Sequence, residues 1–588
     1  MGADLGAVLL VVAVTVGIGT AGLRLSRTTN DLLVASRSVT PLWGASAISG
    51  EYLSAASFLG VAGLVMAFGA DALWYPVGFV AGYVVLLLLV AAPLRRSGAY
   101  TVPDFADARW HSPNLRRLSS LLVLVIGWLY VLPQLKGAGL TLHATTGAPT
   151  WVGGVLVSVV VTASVVGGGM RSATFVQAFQ FWLKLTALAV PAVFLVLAWQ
   201  ADGAPALAGP TTPVFRSETT VHVDRSVAVD VQVPTPVRLD GRALVLAPGS
   251  TRLERGATVV FPAGVPVPHQ HGLHAATGNR WQQPLSGAGG RQHPLYSIYA
   301  LVVATFLGTM GLPHVLVRFY TNPDGVAARR TTQKVLVLLG AFYLLPAVYG
   351  ALGRLYVPTL LVTGQTDAVV LALPGELVGG TAGRLLEALV VGGAFAAFLS
   401  TSSGLLVSTA GVLSQDVLSG SVRDFRKAAV VAGIVPLALA LPASDLPVGV
   451  AVGLAFAFAA STFCPLLVLG IWWRRVTATG AIWGLLVGGG LSAAAISTTL
   501  LGVVRGGWPG ALLAQPAVLT VPAAFATMIV VSLLTPGRIP PDVGRTMLAL
   551  HAPEGLGLDA ARRSSRRADR SAQDGVLPAH RFDADLPD

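Results

Sequence analysis

The chain is written in long apolar runs, separated by short polar stretches in which arginine, glycine and proline concentrate. A bilayer core about 30 Å thick asks for roughly 20 apolar residues per crossing helix, and runs of that length predict about thirteen spans. They lie near 4–23, 42–68, 73–94, 117–146, 151–169, 174–200, 296–321, 333–353, 384–414, 427–442, 447–473, 478–502 and 512–534. Two segments break the pattern. Residues 201–294 are polar and proline-rich, and TTVHVDRSVAVDVQV and RALVLAP alternate as strands do, which predicts a small extracytoplasmic β-rich insertion. From Pro536 onward, ARRSSRRADR among Pro, Asp and Gly predicts a disordered cytoplasmic tail that touches anionic headgroups.

Composition agrees with this reading: 54% of residues are hydrophobic and 11% charged, too few polar groups to cover a soluble globule. The net charge of +12 sits in clusters between the runs, where it sets topology and gives no reason to expect nucleic acid. Those clusters are Arg24, Arg27 and Arg37; Arg95, Arg96, Arg109, Arg116 and Arg117; Arg171; Arg318, Arg329, Arg330 and Lys334; Arg423, Arg426 and Lys427; Arg474 and Arg475; and the tail. If every span crosses, all fall on one side, which the positive-inside rule makes cytoplasmic. The N-terminus is then outside and the C-terminus inside, in a multi-pass protein of the inner or plasma membrane. The first run is too long for a signal-peptide core and reads as a retained helix. Cys464, the single cysteine, excludes disulfides and thiolate metal sites.

Polar residues inside spans mark the places where chemistry can happen. In SAISGEYLSAASFLG, residues 46–60, Gly50, Glu51, Ser54 and Ser57 interrupt an apolar run, a pattern that lets a helix unwind and expose carbonyls to a cation, although small residues also serve plain helix packing. In FLGTMGLPH, residues 306–314, Gly308, Gly311 and Pro313 predict a second break, since proline removes an internal hydrogen bond. The two breaks are five spans apart, the repeat unit of inverted-repeat transporters. In the ninth span, Ser400, Thr401, Ser402 and Ser403 offer four consecutive hydroxyls that suit either a hard cation or interhelical bonding.

Other patterns carry less. GIGTAG, Gly17 to Gly22, sits inside an apolar span with no strand before it and reads as helix packing. His269, His271 and His274 read as an exposed polar loop more readily than a metal site. Glu387 and Asp416 are expected at the water-facing ends of the ninth span. No HExxH, GxSxG or Walker A sequence is present, so an enzyme or ATP-driven pump lacks its chemistry.

DLLVASRSV, SAISGEYLSAASFLGVAGL, GTMGLPHVLVRFYT and AFLSTSSGLLVSTAGVLSQDV together resemble the sodium/solute symporter family, in particular its cation/acetate and monocarboxylate branch. The resemblance runs from about residue 30 to 500. It implies an all-α polytopic membrane protein of the leucine-transporter-type fold, with two inverted five-helix repeats. The divisions expected are a first helix and linker (1–39), first repeat (40–200), insertion (201–294), second repeat (295–473), two further helices (474–535) and tail (536–588). It also implies a Na+ site made by the carbonyls of Gly50, Leu53 and Ala397 with the hydroxyls of Ser400 and Thr401. Substrate-site candidates, recommended by their place in the breaks, are Ser54, Ser57, Phe306 and Thr309. Two departures stand out: Glu51 replaces the Asp more usual in the acetate branch, and the 201–294 insertion is longer and more strand-like than the family's loop.

The expected function is alternating-access uptake of acetate or a related monocarboxylate with Na+, or H+, as coupling cation and no other cofactor. The alternatives are a symporter for another solute such as an amino acid, a passive channel, and a transporter-like sensor, which the fifty residues after the last span leave no room to signal. Partners are the solute, the cation and the lipid bilayer; oligomeric state is not legible.

Overall fold

The computed structural model describes residues 2–23, 39–207, 213–271, 278–285, 293–418, 421–440, 448–501, 503–504, 506–553 and 556. Among the described residues each predicted apolar run is helical over most of its length. Helix α1 is Gly2–Leu23. The second run is split into α2 (Pro41–Tyr52) and, after a wide turn at Ala56–Gly60, α3 (Val61–Phe68). Then come α4 (Trp74–Val85), the short α5 (Val102–Trp110), α6 (Pro113–Thr146) and α7 (Thr150–Ala201). Gly169, at φ 55° and ψ −151°, breaks α7 into the two predicted spans, a conformation open chiefly to glycine.

The second half repeats the plan. The seventh run is split into α8 (Pro294–Gly311) and α9 (Pro313–Phe319), followed by α10 (Gly325–Tyr356), α11 (Gly380–Val412), α12 (Val422–Ala440) and α13 (Val448–Trp472). Helices α14 (Ala478–Leu500) and α15 (Ala517–Leu534) follow. Among the described residues, eleven helical stretches are long and apolar enough to cross a membrane, one of them the bent Ala56–Arg96 that merges parts of two predicted spans. Helix α11 lies at the centre, packed on α1, α2, α6 and α7, while α8 packs on α4 and α13. This arrangement brings the interrupted α2 against the hydroxyl-rich middle of α11.

The described residues 213–271 form the expected β-rich insertion. Its strands are β1 (Thr219–His222), β2 (Val227–Val231), β3 (Thr235–Leu239), β4 (Arg242–Leu246), β5 (Gly249–Leu253), β6 (Thr258–Phe261) and β7 (His269–Gln270). They make two antiparallel sheets, β1-β6-β3-β4 and β5-β2-β7. In β2, Val227, Val229 and Val231 are buried in the alternation the sequence announced. The insertion is fastened to the bundle by Trp281, whose indole donates to the carbonyls of Val65 (3.0 Å) and Met66 (3.2 Å) under the guanidinium of Arg354. His269 is buried in β7, His271 bonds Asp230 at 2.8 Å, and His274 lies outside the described residues. Among the described residues no His, Cys, Asp or Glu cluster suits a metal.

Two expectations are corrected. The segment from Pro536 stays ordered to residue 553: Val543–His551 forms α16, with Met547 and Leu550 buried and Arg96 donating to the His551 carbonyl at 3.0 Å. Its apolar residues three apart give that helix a face to pack, which the polar composition concealed. Asp416 does not face water; its side chain is 5% exposed and pairs with Arg116 at 2.7 Å, beside Asp104 at 2.7 Å. Burial lifts the Asp104 carboxyl above its usual range, against the pull of Arg116.

The predicted basic clusters also gather physically. Arg95 donates to the carbonyls of Asn322 and Pro323, and Arg109 to that of Gly470 at 3.1 Å. These contacts, with Arg116 and Arg96, put several clusters at one end of the bundle. Arg24, Arg27 and Arg37 lie outside the described residues.

Candidate functional site

The first break leaves backbone groups in need of partners, because residues flanking an interrupted helix lose their i to i+4 bonds. Leu53 sits at φ −74° and ψ 85°, outside helical geometry, and the next helical turn begins at Ala56. The side chain of Gln134 on α6 accepts the Ala55 N–H at 2.8 Å. From α11, the Ser400 hydroxyl lies 2.7 Å from the Gly50 carbonyl and 3.0 Å from the Ala397 carbonyl. Thr401 donates to the Glu51 carbonyl at 2.6 Å. Gly50 also lets α7 approach closely, since a Cβ there would fall 2.2 Å from the Gln177 carbonyl. The five residues expected around a cation are thus brought to one place, with Thr401 committed to Glu51.

A sixth group stands among them. Lys184, on α7 and fully buried, donates to the carbonyls of Gly50 and Leu53 (2.8 Å for the latter) and to the Ser400 hydroxyl (2.7 Å). An ammonium has three donors, and all three are used. The residues as they stand do not fit a Na+ ion: its ligands are taken, and two unit charges about 3 Å apart repel by roughly 5 kcal/mol at an effective dielectric of about 20.

A second charged cluster adjoins the first. Arg318, on α9 and 2% exposed, pairs with Glu51 at 2.5 Å and donates to Thr174 (3.0 Å) and to the side-chain oxygen of Gln177. The amide nitrogen of Gln177 reaches the Ser400 carbonyl at 2.8 Å and the Ser403 hydroxyl at 3.1 Å. The expectation that Arg318 belongs to a topology-setting cluster is therefore corrected: it is a buried strut between the two broken helices. Lys184, Arg318 and Glu51 together place two cations and one anion beside the break.

The second break falls at Leu312, with Gly311 closing α8 and Pro313 opening α9. Gly308 is not part of it. It lies inside α8, where it and Gly311 let that helix approach α13: added Cβ atoms would meet the carbonyls of Phe456 at 2.5 Å and Ala459 at 2.3 Å. Of the substrate candidates, Thr309 bonds the Tyr52 hydroxyl at 2.8 Å and so links the two breaks. Ser54 is buried in the first break, Ser57 bonds Tyr343 on α10 at 2.8 Å, and Phe306 is half-buried on α8. Aromatic rings pack together beside the first break: Tyr52 lies 4.9 Å from Tyr83 and 6.2 Å from Phe456, and Phe79 lies 4.9 Å from Phe456. The Tyr130 ring lies 5.2 Å from that of His314, tilted by 37°. The Tyr83 hydroxyl, both ring nitrogens of His314 and one Glu51 oxygen are buried without a hydrogen-bond partner among the described residues. Such groups are costly unless a ligand satisfies them.

Sequence reading found the hydroxyl pair and the breaks but missed Lys184, Arg318 in this role, Gln177 and the tyrosines. The signal for Lys184 was present: it is the only charged residue in the apolar run 174–200.

The model of the sodium:solute symporter family matches residues 32–206 and 281–488, most of the chain apart from the insertion and the ends. The chain belongs to the sodium:solute symporter family. As in that family at large, the chain is a symporter: it couples a small solute to a cation across a membrane. Curated relatives include the uncharacterized symporter YwcA of Bacillus subtilis, 29% identical over 88% of this chain and 91% of the relative. A monocarboxylic acid transporter of Corynebacterium glutamicum is 29% identical over 82% of each chain. Among solved structures, a Na+-coupled sialic acid symporter in a substrate-bound outward-open state aligns with TM-score 0.58 at 14% identity, covering 90% of this chain and 98% of that one. The likeness shows the fold this symporter shares with it, the leucine-transporter-type fold the resemblance implied.

Proposed function

We propose that this symporter takes up a short-chain monocarboxylate such as acetate together with a cation, by alternating access around the paired breaks. The observation that carries the reading is the meeting of the two interrupted helices at Tyr52 and Thr309, beside two buried cations and a single buried carboxylate. A surplus positive charge in a low-dielectric surround favours an anionic solute, and a 29%-identical relative is named for monocarboxylic acids. The Tyr83 hydroxyl and His314 ring, without partners among the described residues, supply candidate hydrogen bonds to a carboxylate. Na+ and H+ are the two candidate coupling cations. Uptake of radiolabelled acetate into proteoliposomes is expected to be competed by propionate and pyruvate and not by proline. Competition by proline alone would overturn the monocarboxylate reading in favour of an amino acid.

We also place the insertion outside and the C-terminal helix α16 in the cytoplasm, from the distribution of basic residues. With Cys464 buried, a cysteine introduced by Ala243→Cys on β4 is expected to react with a membrane-impermeant maleimide in intact cells. One introduced by Arg545→Cys on α16 is expected to react only after permeabilisation. The reverse pattern would invert the topology.

A further inference from the structure

The symport reading leaves the coupling cation open, and the inference that follows rests on that reading. We propose that the ammonium of Lys184 is the resident cation of the site at the first break, that this site binds no Na+, and that uptake therefore proceeds without Na+.

The carbonyls of Gly50 and Leu53 and the Ser400 hydroxyl are neutral oxygens that converge on one point. Lys184 brings three N–H donors to that point, one for each oxygen. A metal ion with the same oxygens would have to displace it or sit against it. The ammonium is fixed covalently to α7 and reaches α2 and α11 through the bonds just named. It ties the unwound stretch to both helices, the structural task a bound ion would otherwise perform. The Glu51 carboxylate is engaged by Arg318, so among the described residues the ammonium donates to uncharged oxygens. That is the ligand type suited to a monovalent cation. Gly50 completes the fit, because any Cβ there would strike the Gln177 carbonyl and push its own carbonyl off the ammonium. Of the two candidate coupling cations, this leaves the proton as the one the gradient supplies.

The test measures initial acetate uptake into proteoliposomes at a fixed pH gradient and membrane potential, with Na+ or choline at equal ionic strength on both sides. Wild-type rates are expected to be indistinguishable in the two salts. Lys184→Ala in choline is expected to fall about tenfold or more, as three buried oxygens lose their donor, and to recover in part when Na+ is supplied to the vacated position. A wild-type rate that collapses in choline overturns the proposal, and so does a Lys184→Ala protein that transports normally in choline. Should the variant fail to fold, thermal unfolding of the wild type decides: a melting temperature unchanged between Na+ and choline supports the tethered cation, and a Na+-specific rise refutes it. Absence of uptake for every solute and gradient would instead defeat the symport reading, while the melting comparison still judges the proposal about Lys184.

Discussion

Glu51→Leu is expected to lower the unfolding free energy of the detergent-solubilised protein by about 3–5 kcal/mol, the range for stranding one partner of a buried ion pair. Glu51 and Arg318 each have side chains 2% exposed, and their contact is 2.5 Å. Removing the carboxylate leaves Arg318, among the described residues, with the oxygens of Thr174 and Gln177, and with Lys184 close by as a second uncompensated cation. The double change Glu51→Leu with Arg318→Met removes both charges and is expected to recover most of the loss, since replacing a buried pair by packed apolar groups is often neutral. Thermal unfolding of the two single variants and the double variant forms a cycle that isolates the pair. Additive losses, with no recovery in the double variant, would mean that the two residues do not support each other.

Ser400→Ala with Thr401→Ala is expected to reduce uptake about tenfold or more while the protein still inserts and purifies as a monodisperse species. Ser400 accepts from Lys184 and lies against the Gly50 carbonyl, and Thr401 donates to the Glu51 carbonyl. The pair is what joins α11 to the unwound stretch, and each lost bond to a buried group costs about 1–3 kcal/mol. Because both hydroxyls touch the backbone of the break rather than a lipid-facing surface, the loss should appear in rate more than in expression. Unchanged uptake would remove this contact from the mechanism. Ser402→Ala, whose hydroxyl has no partner among the described residues, serves as the control and is expected to leave uptake near wild type.

The first helix break shows how far local pattern reaches. Gly50, Ser54 and Ser57 in an apolar run announced an interruption, and its distance of five spans from Pro313 announced a repeat. The sequence also held Lys184 in plain view, a lone charge in an apolar run, yet nothing local says whether such a charge faces lipid, water or a carbonyl cage. Arg318 was harder to place. It lies a few residues before the TNPDG turn, where a topology-setting arginine would also lie.

What the sequence determined by itself is a membrane bundle with two weak points and a row of hydroxyls to meet them, because apolar length and helix-breaking residues act over one or two turns. What only the tertiary structure decided is which charge occupies the meeting place. Gly50 and Lys184 are 134 residues apart, and Glu51 and Arg318 are 267 apart. Their contacts arise from how α2, α7, α9 and α11 pack, and hydrogen-bond geometry at about 3 Å is fixed by that packing and by nothing in the spacing along the chain.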